Sequence, residues 1–235
     1  MKRNFLFAWY ETPRGKLLQE VEAKFIKRSI TVSCKQKVLQ IGGLGWEDEF
    51  IDCSLYEGFM ILDAYSRGCF EALKIQAKAY SLPIQSETID MIILPHLLEF
   101  DANRFQTMRE IDRVLKPEGQ LVVINFNPWS LWVRYQYLWD KKLANSWIGH
   151  FMSKQRVLDW LKLLNYEAKV IAELDIDGIR NESRFSFFSP FATAYAIRAI
   201  KRRYTVIPLA ETRPGRPQVA VLNGFESSQR TSDDD

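Results

Sequence analysis

The sequence predicts an α/β fold built on a mostly parallel sheet with helices on both faces. Short apolar runs alternate along the chain with segments whose apolar residues recur at helical spacing. The run Leu121–Phe126 is apolar except for Asn125, which is typical of a strand buried on both faces. Because ligands of such folds bind at the carboxyl ends of the strands, we expect the functional residues in the loops that follow them.

One helix and four strands are predicted in the first part of the chain. The turn at Pro13–Gly15 precedes an apolar stripe at helical spacing, which is formed by Leu17, Leu18, Val21 and Phe25. Short apolar runs then predict strands at Val38–Ile41, Phe59–Leu62, Leu73–Ala77 and Ile89–Leu94.

Two further helices and three further strands are predicted in the rest of the chain. The first helix runs from Phe105 to Leu115. Pro117 and Gly119 end it and turn the chain into the strand at 121–126. A second helix follows Ser153, with one apolar side formed by Val157, Leu158, Leu161 and Leu164. Alternating apolar residues predict the last strands at 168–174 and 195–200.

The pattern divides the chain into three regions. Residues 1–35 form an N-terminal helical segment, and residues 36–204 hold the main α/β domain, in which 129–152 are a candidate lid or insertion. Periodicity is lost beyond Pro208, so residues 205–235 are predicted to form a disordered tail.

Composition excludes several classes of function. A formal charge of +3 over 235 residues is too small to require a nucleic-acid partner. The three cysteines and two histidines fit no metal-binding spacing, so no metal site is expected. No apolar stretch approaches the roughly 18 residues of a membrane span, and no clear signal peptide is present. These features favour a cytoplasmic protein, and none of them indicates an oligomeric state.

The stretch KVLQIGGLGWEDEF, residues 37–50, is typical of a strand that ends in a glycine turn beside three acidic residues. It does not match the dinucleotide fingerprint G-x-G-x-x-G. Read from Gly42, the third glycine position holds Glu47, and read from Gly43 it holds Asp48. These carboxylates would repel a pyrophosphate. A cationic nucleoside such as S-adenosylmethionine, which carries a sulfonium and an ammonium, suits the turn better.

The order of parts resembles a class I S-adenosylmethionine-dependent methyltransferase of the type 11 group. The corresponding segments are QIGGLG (40–45), ILDA (61–64), SLPIQSETIDMIILPHLLEF (81–100) and REIDRVLKPEGQLVVINFNPWS (109–130). In its FNPWS motif the chain resembles a proteobacterial branch of that group. The resemblance implies a Rossmann-like sheet of seven strands, mostly parallel with an antiparallel last strand. It also implies methyl transfer from S-adenosylmethionine to a small-molecule acceptor.

The resemblance implies a cofactor-binding set. Three glycines, Gly42, Gly43 and Gly45, would admit the methionine part of the cofactor. Asp63 would accept hydrogen bonds from the ribose hydroxyls, although an Asp there could also cap a turn. Ala79 and Tyr80 would flank the adenine. Leu94 and Pro95 would lie where the fourth strand opens toward the transferred methyl group.

Three positions depart from the pattern of the resembled group. Gln40 stands where the group usually has the acid that holds the cofactor's ammonium, and an amide accepts a hydrogen bond without neutralising a cation. The turn reads G-G-L-G instead of glycines two residues apart, and Lys78 stands at a position that is often acidic. These departures leave open a methyltransferase-like binding or regulatory subunit without catalysis.

The acceptor side is predicted from residues after the fourth and fifth strands. His96 is the candidate general base, or it makes a structural hydrogen bond to a neighbouring carbonyl. Asn127 and Trp129 are candidates for holding the acceptor, and Asn127 with Pro128 is also typical of a helix start. The aromatic segment 129–142 is interpreted as a packed helix, a lid or a peripheral membrane contact.

Overall fold

The computed structural model describes residues 4–30, 36–50, 58–63, 73–131, 151–180 and 191–203. Its helices are α1 (Asn4–Tyr10), α2 (Pro13–Ile30), α3 (Arg104–Val114) and α4 (Lys154–Leu163). Its strands are β1 (Lys37–Ile41), β2 (Gly58–Asp63), β3 (Leu73–Gln76), β4 (Ile89–Pro95), β5 (Leu115–Phe126), β6 (Tyr166–Asp175), β7 (Gly178–Arg180) and β8 (Ala194–Lys201). The chain divides into two compact units, Met1–Arg203 and Tyr204–Asp235, of which the second lies outside the described residues.

The strands form one sheet in the order β3-β2-β1-β4-β5-β8-β6-β7. Strands β1 to β5 pair in parallel, whereas β8 runs antiparallel to both of its neighbours, β5 and β6. The predicted α/β fold with an antiparallel last strand is confirmed. Within the described residues the sheet has eight strands instead of seven, because the chain turns back after Asp175 and pairs Gly178–Arg180 against β6 as an edge strand.

Both faces of the sheet are covered, and successive side chains of a strand enter different cores. Val38 of β1 belongs to the core that includes Leu18 of α2. Its neighbour Leu39 belongs to the opposite core, which includes Ile111 of α3 and Leu161 of α4. The N-terminal helices therefore pack on one face of the sheet and α3 and α4 on the other.

Helix α2 confirms most of the predicted apolar stripe. Leu18, Val21 and Phe25 are buried, together with Glu22, but Leu17 is 45% exposed. The buried residues recur three or four positions apart and define one face, and Leu17 lies about 100° of helical rotation away from Leu18.

The turn that the sequence predicts at Pro117 and Gly119 lies inside strand β5. The helix ends at Val114, one residue before the predicted Leu115, and the strand begins at Leu115 instead of Leu121. Ile89 pairs with Leu115 while Met91 pairs with Gln120, so the turn forms a bulge opposite a single residue of β4. Its geometry needs glycine, because a Cβ on Gly119 would lie 2.7 Å from the Lys116 carbonyl oxygen.

Two regions with sequence predictions lie outside the described residues. They are the tail at 205–235 and most of the aromatic segment 129–142, so the lid and membrane interpretations stay predictions. Within the part of the chain that the structure describes, no helix is long and apolar enough to cross a membrane. The cytoplasmic location also stays a prediction.

The bulge in β5 gives a stability prediction. Gly119→Ala is expected to lower the free energy of unfolding by about 1–3 kcal/mol, because the added methyl group meets the backbone and the Leu115 side chain. Urea denaturation of the variant measures the effect. The matched control is Gly58→Ala, where a Cβ meets nothing within 4 Å. Equal stability of the two variants would contradict the steric role of Gly119.

Candidate cofactor pocket and active site

A pocket of about 170 Å³ lies at the carboxyl ends of β1 and β2, as the sequence predicts for a ligand site. Four residues of the predicted cofactor-binding set line it, namely Gly42, Asp63, Ala79 and Tyr80. The sequence analysis missed three lining residues from the segment after β4, which are Leu97, Phe100 and Asp101. The available signal was their position beyond the carboxyl end of a buried strand.

The other predicted cofactor-binding residues are not in the pocket wall. Gln40 is buried in β1, and Leu94 and Pro95 are buried in β4. Gly43 and Gly45 lie in the loop that follows β1. The three strand residues therefore lie behind the pocket wall, and the two glycines lie in the loop beside it.

The glycine turn brings β1 close to the end of β2. Gly42 has a φ of 100° and Gly45 a φ of 91°, both in the region that favours glycine. The Gly43 amide donates to Asp63 Oδ2 at 3.0 Å, and a Cβ on Gly43 would lie 3.0 Å from the same oxygen. A side chain at this position would therefore push against the carboxylate that the sequence assigns to the ribose.

The carboxylate of Glu47 fills the inside of this turn. Glu47 is 3% exposed, and its Oε1 accepts hydrogen bonds from Gln40 Nε2 at 3.0 Å and from the Leu44 amide. Its Oε2 accepts from the Gly45 amide at 3.0 Å. Backbone amides that could bind a phosphate are thus occupied by a carboxylate. The sequence analysis identified Glu47 as an acid beside the turn but not as its cap.

Gln40 connects the turn to the sheet. Its Nε2 donates to the Gly42 carbonyl oxygen and to Glu47, both at 3.0 Å, while its Oε1 is buried without a hydrogen-bond partner. Gln40, which does not line the pocket, is therefore hydrogen-bonded to Gly42, which does.

His96 lies in a buried network at the end of β4. It has a φ of 48°, its ring is fully buried, and its Nε2 lies 3.0 Å from Glu22 of α2. Its Nδ1 lies 3.3 Å from Glu99. Glu22 also accepts a hydrogen bond of 2.5 Å from the Tyr10 hydroxyl, and Glu99 accepts one from the Phe126 amide. The network joins α1 and α2 to the ends of β4 and β5.

The charge of this network does not favour a general base at His96. Burial lowers the His96 pKa, but Glu22 and Glu99 outweigh it and raise the pKa to about 9. Both ring nitrogens face carboxylates, so the imidazole is protonated near neutral pH and has no free nitrogen to accept a proton. The two carboxyls share one imidazolium, and burial raises the Glu99 pKa, which favours the neutral form of that carboxyl.

The residues after β5 form a turn that begins at a buried side chain. The Asn127 amide donates to the Thr193 carbonyl oxygen at 2.9 Å, and its Oδ1 accepts from the Trp129 amide at 3.1 Å. This contact is typical of a helix start. Trp129 is 61% exposed and Asn127 is 1% exposed. Within the described ranges, no group of three or more His, Cys, Asp or Glu residues could hold a metal ion.

The comparisons with known proteins agree with this geometry. Residues 60–123 match the family model described as a methyltransferase domain. This match covers about a quarter of the chain and, together with the Rossmann-like sheet, agrees with the predicted class of methyltransferases.

The uncharacterized protein YafS of Escherichia coli (strain K12) is 28% identical over 159 residues. This alignment covers 68% of the present chain and 64% of YafS, so the chain matches less than two thirds of that relative's length.

Solved structures share the fold. The plantazolicin methyltransferase BpumL, in complex with a desmethyl-plantazolicin analogue and S-adenosylhomocysteine, has a TM-score of 0.60 at 14% identity. The match covers 86% of this chain and 91% of BpumL. An S-adenosylmethionine-dependent methyltransferase of Thermotoga maritima has a TM-score of 0.59 at 16% identity, covering 83% of this chain and 93% of that one. None of these comparisons supports the alternative of a subunit without catalysis.

The His96 network gives a pH prediction. The folded pKa of about 9 lies above the ordinary value of 6.5, so this contribution to stability is fully present below pH 6.5 and is lost as pH rises through 9. The loss amounts to about 3 kcal/mol if His96 has its ordinary pKa when unfolded. Urea denaturation across this pH range measures it.

His96→Gln is the control, because it removes the titrating group. We expect the stability difference between wild type and His96→Gln to shrink across the same pH range. The Glu99 carboxyl, whose pKa is raised by burial, is present in both proteins. A difference that stays constant with pH would contradict the protonated network.

Proposed function

We propose that the protein transfers a methyl group from S-adenosylmethionine to a small-molecule acceptor. The observation that carries the proposal is a pocket between an aspartate at the end of β2 and a glycine turn whose amides are capped by a carboxylate. Such a turn suits a cationic nucleoside and repels a phosphate chain. When bound, S-adenosylmethionine supplies an electrophilic methyl group on its sulfonium.

The chain's own residues divide into adenosine and methionine subsites. Asp63 accepts from the ribose hydroxyls, since it lies in the pocket wall and Gly43 fixes one of its oxygens. Ala79 and Tyr80 flank the adenine, and they line the same pocket. Gly42, Gly43 and Gly45 give the methionine part access to the backbone, with Gln40 behind them. Leu94 and Pro95 support the opening of β4 toward the methyl group.

The acceptor side is proposed from the segment after β5. Asn127 and Trp129 follow this strand at the same edge of the sheet as the pocket, and the exposed indole of Trp129 offers a surface for an acceptor. Among proteins of this fold, BpumL is described in complex with a desmethyl-plantazolicin analogue, which supports a small-molecule acceptor here. Positioning the nucleophile in line with the methyl group supplies much of the rate.

A catalytic role for His96 as general base is the weakest part of the sequence-based site. Both of its nitrogens face buried carboxylates, and its raised pKa keeps it protonated near neutral pH. A nucleophilic acceptor needs no base for methyl transfer. We assign His96 to positioning, because it ties the N-terminal helices to the strand end. The proteobacterial branch marked by FNPWS remains part of the proposal, and the similarity to YafS supports it.

Calorimetry with S-adenosylhomocysteine tests the cofactor assignment. Wild type is expected to bind, and Asp63→Asn is expected to raise Kd by about tenfold or more. The variant keeps an acceptor for the Gly43 amide but loses a charge-assisted contact to ribose worth about 1.5–3 kcal/mol.

Asp159→Asn is the matched control, since this exposed aspartate lies on α4 outside the pocket wall. It is expected to leave Kd unchanged. Absence of binding to wild type at about millimolar ligand would end the methyltransferase proposal.

A further inference from the structure

We propose that Glu47, acting through Gln40, supplies the negative charge that receives the ammonium group of the cofactor's methionine part. The inference rests on the proposed function and concerns the subsite where the sequence lacks the usual acid. It assigns the charge to a residue seven positions further along the chain than the sequence pattern indicates.

The first step is the charge on Glu47. Its carboxylate is almost fully buried, and its three hydrogen-bond donors, Gln40 Nε2 and the amides of Leu44 and Gly45, are all neutral. In the described part of the chain, no lysine, arginine or histidine pairs with it. Buried charges in proteins are usually paired, so a cation from outside the chain fits this carboxylate.

The second step is the orientation of Gln40. Its Nε2 faces two acceptors, the Gly42 carbonyl oxygen and Glu47 Oε1. A flipped amide would set its oxygen against both of them, so these contacts fix Nε2 in place. Oε1 is then left as a buried acceptor without a donor. An ammonium group, which has only donors, satisfies it.

The third step is the location of Gln40 and Glu47 relative to the pocket. A Cβ on Gly43 would lie 3.0 Å from Asp63 Oδ2 and 3.7 Å from Glu47 Oε1, so both carboxylates flank the same residue of the turn. Asp63 and Gly42 line the pocket. The methionine part of a ligand whose ribose lies at Asp63 therefore passes along the turn that Glu47 caps.

The hydrogen bond between Gln40 and Glu47 also explains why a glutamine stands at position 40 in place of the usual acid. A carboxylate at position 40 would face Glu47 Oε1 at a distance near 3 Å, and two ionised carboxylates repel strongly at that distance. A glutamine amide instead donates to Glu47 and presents its oxygen on the other side. Hydrogen bonding to an anion polarises the amide, so Gln40 Oε1 becomes a stronger acceptor.

Calorimetry on the full chain tests the inference with two ligands. S-adenosylhomocysteine carries the ammonium, and 5′-methylthioadenosine has the same adenosine thioether without the amino-acid part. Glu47→Gln is expected to raise Kd for S-adenosylhomocysteine by about tenfold or more and to leave Kd for methylthioadenosine within about twofold. The exchange variant Gln40→Glu/Glu47→Gln returns one charge to the pair and is expected to recover most of the lost affinity.

Three results would overturn the inference. Equal weakening of both ligands by Glu47→Gln, with no recovery in the exchange variant, would make Glu47 a structural cap of the turn. Tighter binding of S-adenosylhomocysteine by Glu47→Gln would mean that Glu47 competes with the ligand for the loop amides. Unchanged binding of both ligands would remove Glu47 from the subsite while leaving the proposed function intact.

A measurement on wild type keeps the test valid if Glu47→Gln does not fold. The analogue of S-adenosylhomocysteine without its amino group is expected to bind about tenfold more weakly than S-adenosylhomocysteine itself. Equal affinities would contradict any ammonium receptor. If wild type binds neither S-adenosylhomocysteine nor methylthioadenosine, the proposed function fails together with the inference.

Discussion

The candidate site depends on the hydrogen bonds that Glu47 accepts from the turn after β1. Two loop amides and the Gln40 side chain converge on this buried carboxylate, which holds the turn in its glycine-dependent shape. A glycine turn with free amides attracts a phosphate, whereas this turn presents a carboxylate. One interaction therefore sets the shape of the turn and places a carboxylate inside it, which fits the cationic ligand that we propose.

The buried network around His96 makes the N-terminal helices part of the same edge of the sheet. Glu22 of α2 and Tyr10 of α1 reach the strand end through hydrogen bonds, and Tyr10 also packs edge-to-face on Trp46 of the turn. Breaking one partner of such a network leaves a buried charge uncompensated, which is costly. The position of α1 and α2 over this edge is thus fixed by polar contacts in addition to apolar packing.

The sequence predicted the elements well because their signals are local. The apolar runs of β1, β2, β4 and β5 and the stripe of α2 can be identified from neighbouring residues, and so could Asp63 at the end of a strand. The contacts of His96 could not be predicted, since Glu22 lies 74 positions away and comes close only when α2 packs on the sheet. The capping role of Glu47 was missed for a different reason, because side-chain capping of an irregular turn leaves no periodic pattern.

The departures from the usual sequence pattern acquire a physical meaning in this structure. Gln40 suggested a lost charge when position 40 was considered alone, but the carboxylate at its Nε2 restores a negative charge within one hydrogen bond. Asp63 adds a second carboxylate beside Gly43. The neutral side chain at position 40 therefore leaves two carboxylates, those of Glu47 and Asp63, beside the turn.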